Sequence, residues 1–378
     1  MGTAWGGGEN YDFHLAQGLQ SLGHCVVLFT GCRWGEQPAA SINGIEAAGI
    51  ATPYLRQYTY KLAGRVKLLP GFVSQLDLRL FTRAAWTPLQ RLIRQRSIDV
   101  VQILGIPHLA DAFLSQGHAT VMRFPGPPAW FQSPQLRRIG QRPRAAMFTH
   151  GDAVRHFRNT IGIGVHEIPP GVDTSLFHPD SGGHTRLEVR RSLGLTPEDF
   201  VLITAGRLID GKGYEFLIDA MAQRARSGGD EKLLIAGDGA LRRRLEKRAA
   251  ALGLERCVLF TGHLAKQDVA RHLQAADCFC LFSGYENYSN AAMEAMSTGL
   301  PVLATRVGGF PLQIHDGVNG FLIDSGSHSQ FNERLNALRG DASLLPALAQ
   351  GARQFAAPFN WMRTAERVAR LYEQVRAA

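Results

Sequence analysis

The sequence predicts an α/β protein of two domains, each wound on a parallel sheet, and three observations carry that prediction. The 378 residues suffice for two domains that each bury a core. Short apolar runs rich in β-branched residues alternate with helical stretches along most of the chain, the signature of strands covered on both faces. A Pro/Gly-rich stretch, His178-Pro179-Asp180-Ser181-Gly182-Gly183-His184, separates two such arrays. The expected domains are therefore 1–180 and 181–378.

Composition agrees. With 45% hydrophobic and 19% charged residues the chain is neither disordered, fibrous nor a coiled coil. No apolar run reaches the ~18–20 residues that span a bilayer. The start, Met1-Gly2-Thr3-Ala4-Trp5, lacks the basic and apolar regions of a secretion signal. Five cysteines, an odd number without a CxxC pair, argue against a disulfide framework or a zinc site. A cytoplasmic protein without a metal is expected.

In the first array a helix from Glu9 to Leu22 precedes a strand at Cys25-Val-Val-Leu-Phe-Thr. Further strands are expected at Val100-Val-Gln-Ile-Leu, Ala119-Thr-Val-Met-Arg-Phe and Ala145-Ala-Met-Phe-Thr. The helix opens at Gly6-Gly7-Gly8, as after a strand-to-helix turn, yet five residues are too few for a leading strand. That first strand is expected upstream of Met1. Between Cys25 and Val100 lies a basic segment: Arg56 to Arg96 holds nine Lys or Arg and one acid, Asp77. It is interleaved with Leu62, Val66, Leu68, Leu69, Phe72, Leu76, Leu80, Phe81, Trp86 and Leu89. A solvated helical surface is the plain explanation. The sharper one is an interfacial segment on an anionic membrane. Net charge is +9, but no nucleic-acid recognition motif accompanies it.

The second array shows its strands more clearly, at Val201-Leu-Ile-Thr, Lys232-Leu-Leu-Ile-Ala, Cys257-Val-Leu-Phe-Thr, Cys278-Phe-Cys-Leu-Phe and Pro301-Val-Leu-Ala-Thr. Between them, Leu241, Leu245, Ala249 and Leu252 share one helix face. An amphipathic stretch from Trp361 to Val375 closes the chain. Ligands of such a domain belong at the carboxyl ends of its strands. There Gly206-Arg207-Leu-Ile-Asp-Gly211-Lys212-Gly213 puts Arg207 and Lys212 beside the N–H groups that open a helix, a ready anion site. Downstream, Glu286 lies in a loop and Glu294 inside the next helix. Ser289 or Asn290 caps that helix, which stops at Gly299 with Pro301 beyond. Either motif alone is compatible with surface charge. Together, at the ends of different strands, they describe carboxylates for ligand hydroxyls beside cations for its phosphates.

These motifs, in order, resemble the retaining glycosyltransferases of the GT-B group called family 4. The matching pieces are Gly6-Gly7-Gly8-Glu9, Ile168-Pro-Pro-Gly171-Val172-Asp173, Gly206-Arg207 with Lys212-Gly213, Gly237-Asp238-Gly239, and the Glu286/Glu294 block. Gly299-Leu-Pro301, Gly308-Gly309 and Asn319-Gly320-Phe complete the series. The resemblance implies two Rossmann-like domains facing a cleft, with a nucleotide-sugar donor held by the C-terminal domain and no metal or other cofactor. It implies Arg207, Lys212 and Glu286 as catalytic residues, the cations on the donor diphosphate and the glutamate on the sugar. Glu294 is implied at the ribose. Asp238, the backbone of Tyr288, Ser289 and Asn290, and the loop at Gly7 and Gly8 are implied as further donor contacts. The basic, apolar-interleaved segment from Arg56 to Arg96 leads to the expectation of a sugar or lipid-linked acceptor in cell-envelope polysaccharide or glycolipid synthesis, reached at the inner face of the membrane. One departure stands out: the family often has a His after the strand matching Thr120-Val-Met-Arg-Phe, and here Arg123-Phe124-Pro125 follows. His150, after another strand, is read as structural. Alternatives are a nucleotide-sugar epimerase and a nucleotide-sugar-binding protein impaired in catalysis.

Overall fold

The computed structural model describes residues 7–33, 37, 39–42, 44–52, 69–124, 136, 138, 139, 141, 142, 144–161 and 164–378. They divide into two units, Met1–Pro169 with Trp361–Ala378, and Pro170–Asn360.

The first unit begins with helix α1 (Gly7–Ser21), whose apolar face, Tyr11, Leu15 and Leu19, is buried. Strands β1 (Val27–Arg33), β2 (Ser41–Ile42) and β3 (Ile45–Thr52) follow, β1 parallel and β2 antiparallel to β3. After the long helix α2 (Leu69–Arg96) come β4 (Val100–Leu104), α3 (Pro107–Ser115), β5 (Ala119–Arg123), β6 (Ala145–Thr149), α4 (Asp152–Ile161) and β7 (Val165–Glu167). Among the described residues these strands make two sheets, β1-β3-β2 and the all-parallel β4-β5-β6-β7. The strand expected ahead of Gly6-Gly7-Gly8 lies outside the described residues, as do Leu62, Val66 and Leu68 of the basic segment and the run from Pro125. In α2, Ala85, Leu89 and Ile93 are core residues, with Phe81 and Trp86 packed against them. The lipid-facing role expected of Phe81, Trp86 and Leu89 is thereby corrected. Leu76 and Leu80, 38% and 37% exposed, remain at the surface.

The second unit runs α5 (His184–Ser192), β8 (Val201–Ala205), α6 (Tyr214–Arg226), β9 (Lys232–Ala236), α7 (Arg242–Ala251), β10 (Val258–Gly262), α8 (Lys266–Ala275) and β11 (Cys278–Leu281). It continues with α9 (Asn290–Ser297), β12 (Val302–Thr305), α10 (Phe310–Gln313), β13 (Gly320–Ile323), α11 (His328–Gly340) and α12 (Leu344–Ala356). Its six strands form one parallel sheet in the order β10-β9-β8-β11-β12-β13. The order reverses between β8 and β11, and the two faces of the sheet are covered by separate apolar clusters. As expected, Leu241, Leu245 and Ala249 are buried along α7.

The boundary expected between 180 and 181 moves to 169/170, because the intervening residues pack on the second unit. The Val172 N–H donates to the Phe359 carbonyl at 2.7 Å and Ser297 Oγ to the Phe177 carbonyl at 2.6 Å. The last helix, α13 (Trp361–Ala377), was expected in the C-terminal domain and belongs to the first unit instead. Its Ala365, Val368, Leu371 and Val375 share a core with Tyr11, Leu15, Leu19, Val121 and Phe148. Thr364 Oγ1 adds a hydrogen bond to the Pro169 carbonyl at 3.2 Å.

Candidate functional site

In the second unit the strand order reverses between β8 and β11, and in doubly wound sheets ligands bind at the carboxyl ends of the strands beside such a reversal. The turn after β8 carries Arg207 and Lys212. Gly213 has a φ of +75°, and a Cβ there would lie 2.1 Å from the Phe282 carbonyl oxygen, so only glycine lets this turn pass so close to the end of β11. The Gly284 N–H donates to the Gly211 carbonyl at 2.8 Å, joining the two loops. Lys212 is brought against Glu286, and the two form an ion pair. The same carboxylate oxygen accepts the Ser283 hydroxyl at 3.0 Å. The Gly309 N–H fixes the Glu286 carbonyl at 2.7 Å. Tyr214 donates its hydroxyl to the Arg207 carbonyl at 3.2 Å, and burial, then Glu286, pushes its ionisation above the usual tyrosine range. The Arg207 guanidinium is exposed and has no side-chain partner among the described residues.

The N-terminus of α9 stands beside this pair in sequence and is held from behind. Ser289 is the cap, its hydroxyl accepting from the Ala292 N–H at 3.2 Å. The fully buried Gln313 takes the Ser289 N–H at 2.8 Å and donates to the Ser289 carbonyl at 3.1 Å. Asn319, also buried, donates to the Gln313 carbonyl at 2.9 Å. A buried amide chain therefore fixes where the helix N–H groups point. Gln313 is absent from the sequence reading, because its role depends on a contact 24 residues away with no local spacing to betray it. Asn290 is the first residue of the helix, and Tyr288 packs half-buried with its hydroxyl toward Met293 Sδ at 3.5 Å.

Glu294 lies one helical turn further in and pairs with Lys266, the first residue of α8, which sequence reasoning also missed. Burial pushes the Glu294 carboxyl above the usual carboxylate range, against the pull of Lys266. Lys266 also sits 5.1 Å from the centre of the Phe177 ring. The only sequence signal for Lys266 is its position after a strand. Asp238, after β9, is 54% exposed; its carboxylate accepts the Gly239 N–H at 2.7 Å and lies 3.8 Å from Arg242. It shapes its own turn. Gly7 and Gly8 open α1 in the first unit, whereas every other expected site residue belongs to the second. His150 is buried in the first unit, its ring stacked on Tyr11 at 5.7 Å; burial, then Arg123, brings it down to about 3.

Residues 185–355 match the family model for glycosyl transferases group 1. Among curated proteins, a D-inositol 3-phosphate glycosyltransferase of Corynebacterium jeikeium is 33% identical over 216 residues, 55% of this chain and 51% of that protein. A GDP-mannose-dependent alpha-(1-6)-phosphatidylinositol monomannoside mannosyltransferase of Mycolicibacterium smegmatis is 30% identical over 253 residues, 64% and 65% of the two chains. The chain thus spans about half to two thirds of the length of the curated relatives it matches. Of solved structures, a sucrose-phosphate synthase from Thermosynechococcus elongatus superimposes with a TM-score of 0.78 at 20% identity, covering 98% of this chain and 94% of that one. The fold is GT-B.

Proposed function

The chain carries a group 1 glycosyl transferase domain over residues 185–355, and from that premise we propose that it transfers a sugar from a nucleotide-sugar donor to an acceptor hydroxyl. The observation that carries this reading is the Lys212–Glu286 pair at the reversal of strand order: a phosphate-binding cation and a hydroxyl-binding carboxylate set side by side. In the proposed reaction the bond from the sugar C1 to the donor phosphate oxygen breaks, and its electron pair goes to that oxygen. Arg207, Lys212 and the N–H groups of α9 neutralise the growing charge, and the helix dipole acts in the same sense. Glu286 orients the sugar through its hydroxyls, and Glu294 meets the ribose. The acceptor oxygen bonds C1 on the face the diphosphate leaves, and its proton passes to the departing phosphate oxygen. The configuration at C1 is retained.

We assign the acceptor to cell-envelope glycolipid or polysaccharide synthesis. The relative from M. smegmatis is named for a phosphatidylinositol-linked acceptor, and α2 exposes Leu76 and Leu80 among Arg79 and Arg83. No helix among the described residues is long and apolar enough to cross a membrane. The proposed contact is therefore peripheral, on the cytoplasmic face. A thermal-shift screen of nucleotide sugars tests the donor: a ligand at 100 times its dissociation constant adds roughly 2.7 kcal/mol. A flat response across uridine, guanosine and adenosine diphosphate sugars would refute the reading. Sedimentation with anionic and neutral vesicles tests the surface, which fails if both bind alike at low salt.

A further inference from the structure

Both glutamates of the site are engaged by lysines, Glu286 by Lys212 and Glu294 by Lys266. The first pair is partly enclosed, its side chains 14% and 29% exposed, so water screens it less than a surface pair. Glu286 has little freedom to turn away. Ser283 holds its carboxylate, the Gly309 N–H holds its carbonyl, and a Cβ at Gly308 would lie 2.1 Å from that carbonyl oxygen. A phosphate arriving at Lys212 therefore competes with Glu286 for the charge of the same ammonium.

A sugar nucleotide repairs both halves of the exchange. Its diphosphate replaces the carboxylate on Lys212, and its sugar hydroxyls donate to the carboxylate released. A bare nucleoside diphosphate supplies only the first half. It leaves Glu286 enclosed, without a donor from Lys212, and next to new negative charge, an arrangement that costs free energy. We propose that Glu286 is an internal counter-anion, which discriminates against the bare nucleoside diphosphate and clears it from Lys212 once the sugar has been transferred. This rests on the glycosyltransferase reading and adds product release to the work of the same carboxylate.

The test is calorimetric titration of uridine, guanosine and adenosine diphosphates into the parent protein, Glu286→Gln, Lys212→Ala and the double variant, with melting temperatures as the folding control. Glu286→Gln is expected to bind the preferred diphosphate roughly three- to thirtyfold more tightly than the parent. Stopped-flow release should slow by a similar factor. In the Lys212→Ala background the Glu286 substitution should have a smaller effect, since only the direct repulsion between carboxylate and diphosphate is then relieved. Glu286→Ala must act in the same direction, which covers a glutamine variant that fails to fold. If a folded Glu286 variant binds diphosphate as weakly as the parent or more weakly, while Lys212→Ala loses affinity, the counter-anion inference is overturned and the site stands. If Lys212→Ala binds as the parent does, or the parent binds none of the three diphosphates, the reading of the site falls and takes the inference with it.

Discussion

Arg123 ends β5 in the first unit and Arg207 follows β8 in the second, so two arginines occupy the same kind of place, the carboxyl end of a parallel strand. Their surroundings are opposite. Arg123 has no exposed side-chain surface; it forks onto both oxygens of Asp12 at 2.7 Å and lies 4.3 Å from the centre of the Tyr11 ring. Gln102 extends the network to Asp12 at 3.2 Å, and the Tyr372 hydroxyl donates to Gln102 at 2.7 Å. The cation thus ties α1, β4, β5 and α13 together. Arg207 is exposed and has no such partners among the described residues. Position at a strand end is therefore not enough to make a cation a ligand group. What separates the two is whether the protein has already spent its hydrogen bonds.

The largest effect should come from breaking the sealed network. Arg123→Ala leaves Asp12 without its charge partner, and loss of one member of a buried pair typically costs about 3–5 kcal/mol. Thermal unfolding should show a large drop for this variant, and a parental melting curve would erase the contrast. Next come Arg207→Ala and Lys212→Ala, for which turnover should fall by roughly 100- to 1000-fold, about 2.7–4 kcal/mol in the barrier, at near-parental stability. Steady-state kinetics beside melting curves decides this; a variant with parental turnover removes that residue from the site.

Smaller effects follow from protonation. His150 is held neutral by burial at about 3, whereas in the unfolded chain it takes a proton near the ordinary histidine value. Its contribution to stability is present above that ordinary value and is lost as pH falls toward about 3, at up to ~1.4 kcal/mol per pH unit. His150→Phe should flatten this part of the pH–stability curve, and an unchanged curve would assign the acid sensitivity elsewhere. Glu294 has the reverse sign. Its carboxyl is raised, so the folded protein holds that proton more tightly and loses stability as pH rises through the folded value. Lys266 limits the loss. Lys266→Met should match the parent below about pH 4 and be less stable by about 1 kcal/mol near neutrality. Equal stability at both ends would show that the pair contributes nothing.

The sequence was most legible where periodicity and burial coincide. Every strand of the second unit up to β12 announces itself as a short apolar run, because strands covered on both faces need apolar residues at nearly every position. β13 was missed: it is four residues long and opens at Gly320, so it reads as a turn. β3 was missed because Ile45-Glu-Ala-Ala-Gly-Ile-Ala-Thr is too small and mixed to look like a strand. The charged residues of the site could be picked out because their motifs are local. Their pairings could not. Lys266 is 28 residues from Glu294 and Gln313 is 24 from Ser289, and no spacing rule connects residues that meet only when strands line up. The closing helix was legible as amphipathic, but an apolar stripe does not say which sheet it will cover.

That helix has a consequence for how the protein is made. Residues 170–360 are synthesised between the body of the first unit and the segment that covers its face of Tyr11, Leu15, Leu19, Val121 and Phe148. During translation the second unit is complete in sequence and free to fold while the first still waits for its cover. A nascent chain paused near Asn360 would present bare apolar surface to the ribosome exit and to any chaperone there. A stop after Asn360 would be felt first by Tyr11, Leu15, Leu19, Val121 and Phe148, the residues that the closing helix covers.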